Sequence, residues 1–450
     1  MKQIKDFENK AVLVLGLAKS GMAAARLLKK LGANVTVNDA KDLAGTEEEK
    51  ALRKEGITLV SGGHPASLLD EADYVVKNPG IPYHNPLVSE AVNRNLPVVT
   101  EIELASLVCE GDIVSISGSN GKTTTTTLLY EMLKGNENKK PWIAGNIGTV
   151  ACEVAQEVKA QDIMVTEVSS FQLKGTKDFH PHVAVLLNIF DAHLDYHGDR
   201  LDYEQSKGKM FSNMTSEDVI IYNSDDPVVE TLAKHSKAQL VPFSASSKQS
   251  EGAYVENGWI TFKEESILSL KEASLPGAHN VENMLAAVAA AKILGGSTTQ
   301  IIDVLKTFNG VKHRLQFVGN LNGRKIYNDS KATNILATQK ALSSFTQPVV
   351  LLAGGLDRGN SFDDLIPYLA KVKGVVTYGE TKGKIAEAAY EADVSNIEKQ
   401  NTLEEAVKTA YKLTEEGDVL LLSPACASWD QFKTFEERGE TFIKAVQHLQ

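Results

Sequence analysis

The stretch SISGSNGKTTTTTLL, residues 115–129, decides the fold of this chain because it combines a strand, a glycine turn and a helix start. The usual phosphate-binding pattern has a glycine five residues before its Gly-Lys pair, and Ile116 occupies that position here. Gly118 and Gly121 still permit a tight turn after the apolar run, and the threonine-rich run that follows predicts a helix. The stretch therefore has the context that such a loop needs, in a shortened form.

The lysine and hydroxyl groups of this turn have the chemistry of a nucleotide phosphate site. Backbone N–H groups at a helix start can surround a phosphate. Lys122 would then reach the outer phosphate oxygens, and the Thr123 hydroxyl would bind Mg²⁺. The alternative is an ordinary strand, turn and helix with a solvated lysine.

Length and composition limit the classes of protein to which the chain can belong. At roughly 150 residues per domain, the 450 residues predict three domains, and 42% hydrophobic with 23% charged residues argues against disorder. The net charge of −11 disfavours a nucleic-acid surface, and no uncharged apolar run approaches the ~18 residues that span a membrane. The charged N-terminus runs into a strand and is unlike a secretory signal, so a cytoplasmic protein without stable membrane insertion is predicted. Cys109, Cys152 and Cys426 lack metal-site spacing and are interpreted as core thiols.

The first block of the chain begins with a βαβ pattern. AVLVLG, residues 11–16, predicts a strand, a helix pattern follows, and NVTVND predicts the next strand. Gly16 and Gly21 match the first and third glycines of a dinucleotide fingerprint, but Ala18 replaces the middle one, so support for NAD is weak. Asp39 ends the second strand, where it could accept hydrogen bonds from a nucleoside or be a solvated acid. Farther along, YVVKNPGIPYHNP predicts a strand that ends in a Pro/Gly turn, whose backbone groups could line a crevice.

The rest of the chain continues the alternation of apolar strands and helices. Strands of the second block, such as DIMVTEVSSFQL, end in polar residues, which collect on one edge of a parallel sheet. Residues 244–270 predict a small antiparallel excursion, and LPGAHNVENMLAAVAAAKILGG predicts a helix. The predicted fold is α/β in three domains: an N-terminal Rossmann-like domain (1–102), a central P-loop NTPase-like parallel sheet (103–311) and a C-terminal Rossmann-like doubly wound sheet (312–450).

Three side chains of the second block could act beside a phosphate loop. Glu167 ends an apolar strand, and a carboxylate at a strand tip suits Mg²⁺, which usually takes only one or two carboxylates. His193 follows the next strand end, where a lone loop histidine is more often solvated. Spacing alone makes Lys207 a helix-surface lysine.

Polar clusters also follow predicted elements later in the chain. Asn280 and Asn283 fall on one face of a helix start, where they could read an adenine edge or cap the helix. NDSKATN, residues 328–334, is a polar turn after a strand that suits an anionic ligand. SPACASWDQF, residues 423–432, predicts a helix N-terminus at Ser428, which could bind a carboxylate.

Taken together, these segments resemble the Mur ligase family over essentially the whole chain. GSNGKTTT, EVSSFQL, LPGAHNVENMLAA, NDSKATN and LSPACASWDQF occur in the family's order, and the family's loop also lacks the first glycine. The last two segments resemble the members that add D-glutamate. The resemblance implies an ATP-dependent ligase of peptidoglycan precursor synthesis, which phosphorylates UDP-N-acetylmuramoyl-L-alanine and lets the amine of D-glutamate attack the acyl phosphate. It implies ATP and two Mg²⁺ ions as cofactors, a monomer, and no nucleic-acid partner.

The resemblance also implies roles for individual residues. Lys122, Glu167, His193 and Lys207 would be catalytic, and Lys207 would be carbamylated. The metal ligands would be Thr123, Glu167, His193 and carbamylated Lys207. The ATP site would comprise Gly118, Ser119, Asn120, Gly121, Lys122, Thr123, Thr124, Asn280, Asn283, Arg314 and Asp329. The UDP-sugar site would comprise Leu17, Asp39, Asn78, Asn146, Ser169 and His193, and the D-glutamate site Lys331, Thr333, Arg358, Ser428 and Phe435.

Two positions depart from the family pattern, and other readings compete with it. Arg358 stands where a lysine is expected for the glutamate side chain, and Lys19 lies near the expected uridine phosphates. A folyl-polyglutamate-type ligase shares the acyl-phosphate chemistry but lacks this kind of N-terminal domain. A P-loop nucleotide switch or binding protein would leave the metal and glutamate motifs unexplained. An NAD-dependent oxidoreductase rests only on the degraded glycine pattern.

Overall fold

The computed structural model describes residues 1–136, 139–190 and 193–449. These form two compact units, Met1–Glu272 with Val281–Lys306, and Ala273–Asn280 with Thr307–Gln450. Within the described residues the first unit contains a five-stranded and a nine-stranded sheet, and the second contains a six-stranded sheet. None of the described helices is long and apolar enough to cross a membrane.

The first sheet has the strand order β3-β2-β1-β4-β5, and all its neighbouring strands are parallel. Parallel pairs need crossover connections, and the alternating helices supply them. Because the order reverses at β1, a crevice is expected outside the carboxyl ends of β1 and β4. The strands are β1 (Ala11–Leu15), β2 (Asn34–Asp39), β3 (Thr58–Ser61), β4 (Tyr74–Lys77) and β5 (Val98–Val99), and the helices are α1 (Lys19–Lys30), α2 (Glu47–Lys54), α3 (Pro86–Asn93) and α4 (Glu101–Val108).

The second sheet has the order β14-β13-β12-β11-β10-β9-β6-β8-β7, with β6 between β8 and β9. All of β6 except its first residue is buried, as expected for a strand covered on both faces. The strands are β6 (Asp112–Ser117), β7 (Pro141–Gly145), β8 (Ile163–Glu167), β9 (Val183–Leu186), β10 (Val219–Asn223), β11 (Gln239–Ser244), β12 (Ala253–Glu256), β13 (Trp259–Phe262) and β14 (Glu265–Ser269). The helices are α5 (Lys122–Leu133), α6 (Ala151–Val154), α7 (Ser170–Lys174), α8 (Leu194–His197), α9 (Arg200–Gly208), α10 (Pro227–Lys234), α11 (Ala278–Ile293) and α12 (Thr298–Thr307).

The third sheet has the order β15-β16-β20-β17-β18-β19 and is parallel except for the β15–β16 pair. Buried aliphatic residues cover both of its faces, in two separate clusters. The strands are β15 (Gln316–Leu321), β16 (Arg324–Asn328), β17 (Val349–Gly354), β18 (Gly374–Tyr378), β19 (Ile397–Lys399) and β20 (Val419–Leu422), and the helices are α13 (Ile335–Leu342), α14 (Ile366–Leu369), α15 (Lys382–Glu391), α16 (Leu403–Leu413) and α17 (Phe435–Gln447).

The three sheets confirm the predicted α/β class, and the β12–β14 meander confirms the antiparallel excursion. Two local predictions are wrong. No helix begins at Ser428, because its carbonyl accepts hydrogen bonds from the N–H groups of Gln431 and Phe432 in a turn, and α17 starts only at Phe435. Lys207 is not a surface lysine, since it is 1% exposed within the first unit.

Candidate active site

The turn that the sequence predicts to bind phosphate joins β6 to α5, and its shape depends on glycine. Gly121 caps α5 in the left-handed region at φ +83°, and a Cβ there would lie 2.1 Å from Asn283 Oδ1. Asn283 therefore packs directly against the turn, and its role in binding ATP stays a prediction. Thr125 Oγ1 also donates to Asn283 Oδ1, at 3.4 Å.

Neighbouring elements hold the turn in place. Asn188, just beyond β9, accepts from the N–H of Ser119 through its backbone oxygen and from the N–H of Asn120 through Oδ1, both at 2.9 Å. The Ser119 hydroxyl shares a 2.8 Å hydrogen bond with the Tyr203 hydroxyl on α9. Sequence reasoning missed Asn188 and Tyr203. The polar position after a buried strand was a signal for Asn188, whereas nothing local distinguishes Tyr203.

Two lysines converge on one carbonyl oxygen of this turn. Lys122 Nζ donates to the Gly118 oxygen at 2.8 Å, and Lys207 Nζ donates to the same oxygen at 2.9 Å. Burial, and secondarily the charge of Lys122, holds the pKa of Lys207 well below its usual value. The tertiary structure thus brings together two residues that are 85 positions apart in the chain and favours the neutral amine at Lys207.

Glu167 lies at the tip of β8, one strand over from the turn, with Ile116 as its register partner on β6. Gly145 permits the close approach here, since a Cβ at Gly145 would lie 2.2 Å from the Glu167 backbone oxygen. Glu167 Oε1 accepts from Asn146 Nδ2 at 2.9 Å, while Oε2 is buried without a hydrogen-bond partner among the described residues. A buried, unpartnered carboxylate oxygen beside a phosphate loop fits a hard cation such as Mg²⁺.

Mg²⁺ needs few protein ligands because phosphate and water complete its coordination. Across the described residues, no group of three or more His, Cys, Asp and Glu side chains is arranged to hold a metal. Thr123, in the first turn of α5, is 5% exposed.

His193 and Ser169 lie near α7, beyond the tip of β8. Ser169 caps α7 through a capping box with Gln172, so its hydroxyl accepts from the Gln172 N–H. His193 is exposed, and its ring packs edge-on against Phe171 with centroids 4.8 Å apart. The prediction that His193 binds metal stays a prediction.

A buried polar chain that the sequence did not reveal supports α9. His197 Nδ1 contacts Asp202 Oδ2 at 2.7 Å, and its Nε2 contacts Ser170 Oγ at 3.0 Å. Lys174 donates to the same carboxylate at 2.6 Å. Burial lowers the pKa of His197, although Asp202 opposes the shift. These hydrogen bonds hold α9, the helix that carries Lys207, against α7 and α8.

In the first sheet, Leu17, Asp39 and Asn78 all lie at the carboxyl edge. The Leu17 N–H donates to Asp39 Oδ2 at 2.7 Å, so Asp39 shapes the turn after β1. Asn78 follows β4, where it accepts from the Gly80 N–H and donates to Ser20 Oγ. These predicted UDP-sugar residues thus lie at the carboxyl ends of β1, β2 and β4, beside the expected crevice, and Lys19 is exposed at the start of α1.

In the second unit, several predicted D-glutamate residues share the carboxyl edge of the third sheet. Lys331 Nζ lies 5.2 Å from the centroid of the Phe435 ring. Thr333 and Arg358 line a cavity of about 80 Å³ together with Cys426. The Arg358 guanidinium also lies 5.0 Å from the centroid of the Trp429 ring, and Ser428 is buried in the turn described above.

Asp329 and Arg438 are buried at this same edge. Burial raises the pKa of Asp329 to about 7, although the Leu315 N–H and the Ser423 hydroxyl donate to its carboxyl group. Arg438, which sequence reasoning missed, donates to the backbone oxygens of Ser330 and Cys426 at 2.8 and 3.0 Å. It thereby ties the turn after β16 to the turn after β20.

Two predicted ATP residues also belong to the second unit. Asn280 donates from Nδ2 to the Pro276 oxygen at 2.7 Å, which ties the first turn of α11 to the residues before it. Arg314 has a buried Nε without a hydrogen-bond partner among the described residues. Their approach to ATP stays a prediction.

Comparison with known protein families covers most of the chain. Residues 10–100 match the Mur ligase MurD-like N-terminal domain, residues 116–291 the Mur ligase middle domain, and residues 313–426 the Mur ligase glutamate ligase domain. The chain belongs to the Mur ligase family. This confirms the resemblance drawn from the motifs.

Relatives within the Mur ligase family align along their whole length. The chain is 58% identical over 450 residues to a protein of Halalkalibacterium halodurans and 57% identical over 451 residues to one of Geobacillus kaustophilus, with 100% of each chain covered. Both are named UDP-N-acetylmuramoylalanine–D-glutamate ligase.

Solved structures support the Mur ligase fold. The UDP-N-acetylmuramate-alanine ligase MurC of Thermotoga maritima aligns with a TM-score of 0.60 at 19% identity, covering 98% of this chain and all of that one. The MurF ligase of the same organism, solved with ADP, aligns with a TM-score of 0.59 at 18% identity, covering 99% and 97%.

Proposed function

We propose that this chain is an ATP-dependent, ADP-forming ligase that joins D-glutamate to UDP-N-acetylmuramoyl-L-alanine in peptidoglycan precursor synthesis. The observation that carries the proposal is the edge of the central sheet. There two lysines meet at the Gly118 oxygen, and the next strand ends in a buried carboxylate with one unpartnered oxygen. Full-length identity of 55–58% to relatives named for this reaction supports the substrate assignment.

The reaction overcomes the poor reactivity of a carboxylate toward an amine. The alanine carboxylate attacks the γ-phosphorus of ATP, which forms an acyl phosphate and releases ADP. The D-glutamate amine then attacks the acyl carbon, and the tetrahedral intermediate expels inorganic phosphate as the amide forms. Negative charge develops on phosphoryl oxygens in the first step, so catalysis here is mainly positioning and electrostatic stabilisation.

The residues at the turn suit these tasks. Backbone N–H groups at the start of α5 would hold the phosphates, and Lys122 would stabilise charge on the transferred group. Thr123 and Glu167 would hold Mg²⁺, which supplies Lewis-acid stabilisation of phosphoryl charge when bound. Because Asn146 binds the other Glu167 oxygen, the carboxylate is already oriented. A second ion at His193 forms part of the proposal.

Carbamylation of Lys207 is the finer part of the proposed mechanism. An amine adds to CO₂ only in its neutral form, and burial lowers the pKa of Lys207 in that direction. The product is an anion, which would sit beside the cationic Lys122 and could bind or orient metal. The same burial shields the carbamate from solvent.

The other two substrates would occupy the edges of the outer sheets. The crevice at Leu17, Asp39 and Asn78 would hold the UDP-sugar, with Asn146, Ser169 and His193 toward the reacting end. D-glutamate would be held by Lys331, Thr333, Arg358, Ser428 and Phe435.

The proposed domains comprise residues 1–102, 103–311 and 312–450. We propose that the protein is cytoplasmic, since its substrates are cytoplasmic nucleotides. We also propose that it is a monomer, since one chain supplies every proposed site residue.

Substrate-dependent phosphate release tests the proposal. The enzyme is incubated with ATP, Mg²⁺ and UDP-N-acetylmuramoyl-L-alanine, and with D-glutamate, L-glutamate, L-lysine or no amino acid. Release that requires D-glutamate, with ADP and not AMP as the product, is expected. Release with a different amino acid would transfer the chain to a sister ligase function, and release that needs neither substrate would indicate a simple nucleotidase.

A further inference from the structure

Lys77 is a buried lysine at the end of β4, directly before the UDP-sugar candidate Asn78. Only 1% of it is exposed. Its Nζ donates to the backbone oxygen of Ile81 at 2.9 Å and has longer contacts to those of Pro79 at 3.3 Å and Asn78 at 3.4 Å. One ammonium group therefore gathers three carbonyl groups of the turn that follows β4, which we call the β4 turn (residues 78–81).

A tyrosine on α8, a helix of the second sheet, completes this arrangement. Tyr196, on α8, accepts a 2.9 Å hydrogen bond from Lys77 and can donate to the Pro79 oxygen, also at 2.9 Å. Its ring packs 4.3 Å from that of Phe171, the residue against which His193 also packs. The β4 turn is thereby connected to the segment that carries His193.

The buried amine of Lys77 is surrounded by carbonyl oxygens and aromatic rings. Among the described residues no carboxylate forms an ion pair with Lys77, while the Tyr83 ring lies 4.9 Å and the Tyr196 ring 5.6 Å from Nζ. Burial, with a smaller contribution from Lys174, lowers its pKa to about 7. Its hydrogen bonds to the backbone oxygens and to Tyr196 offset part of the cost of burying this amine.

The β4 turn borders the crevice between β1 and β4. Asn78 uses both side-chain groups to organise it, since Oδ1 accepts from the Gly80 N–H and Nδ2 donates to Ser20 Oγ at the start of α1. A Cβ on Gly16 would lie 3.1 Å from the Asn78 Cβ, so the residue after β1 and the β4 turn are closely packed. A shift of the carbonyl groups would therefore move Asn78 within the crevice.

We propose that Lys77 and Tyr196 are positioning residues for the nucleotide-sugar substrate, which lock the β4 turn in its binding shape and connect it to the segment around His193. The inference rests on the proposed function, because it concerns the substrate of that same site. Lys77 acts through the backbone of the turn and not by touching the reacting atoms. Loss of the Lys77 amine should therefore weaken binding of the UDP-sugar but not of ATP or D-glutamate.

The test compares Lys77→Met and Tyr196→Phe with the unaltered enzyme. Lys77→Met keeps an unbranched side chain as far as Cε but removes Nζ and all its donors. It should raise the KM for UDP-N-acetylmuramoyl-L-alanine by about tenfold or more, while kcat and the KM values for ATP and D-glutamate change less than about threefold. Titration calorimetry with the UDP-sugar alone should show the same loss of affinity. Tyr196→Phe should act in the same direction with a smaller effect.

The double variant and a control sharpen the test. Because both residues hold the same carbonyl groups, the double variant should lose no more than about the Lys77→Met variant alone. Lys10→Met is the control, since Lys10 directly precedes β1 and pairs with Asp73 at the opposite edge of the same sheet. It should leave every kinetic constant unchanged.

The inference and the proposed function fail in different ways. If the unaltered enzyme lacks D-glutamate-dependent ADP formation, the proposed function is wrong. If it is active but folded Lys77→Met binds the UDP-sugar normally, or loses affinity equally for all three substrates, the positioning role is wrong. Should Lys77→Met fail to fold, Tyr196→Phe decides by the same criterion, and an unchanged KM for the UDP-sugar would overturn the inference.

Discussion

Replacing Glu167 with glutamine should make the ligand-free protein more stable and the enzyme inactive. Glu167 is 2% exposed, and only its Oε1 has a hydrogen-bond partner among the described residues, Asn146. Glutamine can keep that bond through its own carbonyl oxygen. It places a neutral amide where the unpartnered oxygen stood, and although its N–H groups also lack a partner there, a neutral group costs less to bury than a carboxylate.

The magnitude follows from the cost of burying that atom. An unsatisfied buried polar group costs roughly 1–3 kcal/mol, and a charged one costs more. Exchanging the charged group for a neutral one should therefore raise the free energy of unfolding by about 1–3 kcal/mol. For a domain of about 200 residues each kcal/mol raises the melting temperature by about 2–4 °C.

Mg²⁺ and nucleotide should reverse the order of stability. A ligand at about 100 times its Kd stabilises the folded state by about 2.7 kcal/mol. The unaltered enzyme should gain this from Mg²⁺ with ATP, whereas the Glu167→Gln variant should gain much less. Thermal melts with and without Mg²⁺ and ATP, together with ADP release, measure both effects.

Glu103 offers a matched control, because its replacement with glutamine should change the free energy of unfolding in the opposite direction. It is 3% exposed, and both of its carboxylate oxygens accept backbone N–H groups, from Lys177 at 3.0 Å and Asp178 at 2.7 Å. Glu103→Gln turns one acceptor into a donor that faces a donor, so it should destabilise the protein by about 1–3 kcal/mol. The reasoning is refuted if Glu167→Gln melts below the unaltered protein without ligand, or gains as much from Mg²⁺ and ATP.

Three further variants test the other parts of the site. Lys207→Ala should lower D-glutamate-dependent ADP formation at least ~100-fold, and removing dissolved CO₂ and bicarbonate should inhibit the unaltered enzyme reversibly; full activity of the variant would exclude a role for a carbamate. Asp329 has a folded pKa of about 7 against an ordinary value of 3.8, so the fold favours its neutral form and its contribution to stability is lost as pH rises through that range. Between pH 4 and 8, the free energy of unfolding of the unaltered protein should therefore fall by up to about 4 kcal/mol relative to that of Asp329→Asn, as measured from denaturation curves. A difference between the two proteins that does not change with pH would contradict the assignment. Arg358→Ala should raise the KM for D-glutamate about 10–100-fold with the KM for ATP unchanged, and equal changes in both would remove Arg358 from the amino-acid site.

The comparison of sequence with structure is most instructive at the lysines. Lys122 follows a turn whose glycines and flanking elements are contiguous, so local pattern was enough to predict its place. Lys207 has no local feature that separates it from a surface lysine, and only the packing of α9 against the turn brings its Nζ to the Gly118 oxygen. Lys77, Tyr203 and Arg438 escaped prediction for the same reason, because their partners are distant in the chain.

The turn after Ser428 shows the converse error. Small residues after a buried strand predicted a helix start, since this is the usual continuation of such a strand. Here Gln431 and Phe432 close a turn on the Ser428 carbonyl, and Thr434 provides the cap that starts the helix. The Thr434 side chain accepts from Glu437, a signal visible in the sequence as Thr-x-x-Glu.

The sequence by itself determined the α/β class, the phosphate turn, the strand tips that carry polar residues and membership of the Mur ligase family. These depend on hydrophobic periodicity, glycine conformation and motif order, all of which are local properties of the chain. Only the tertiary structure decided which groups share a site and in what protonation state. Burial left one oxygen of Glu167 unpartnered, lowered the pKa of Lys207 and enclosed Lys77, because desolvation depends on neighbours that local sequence does not specify.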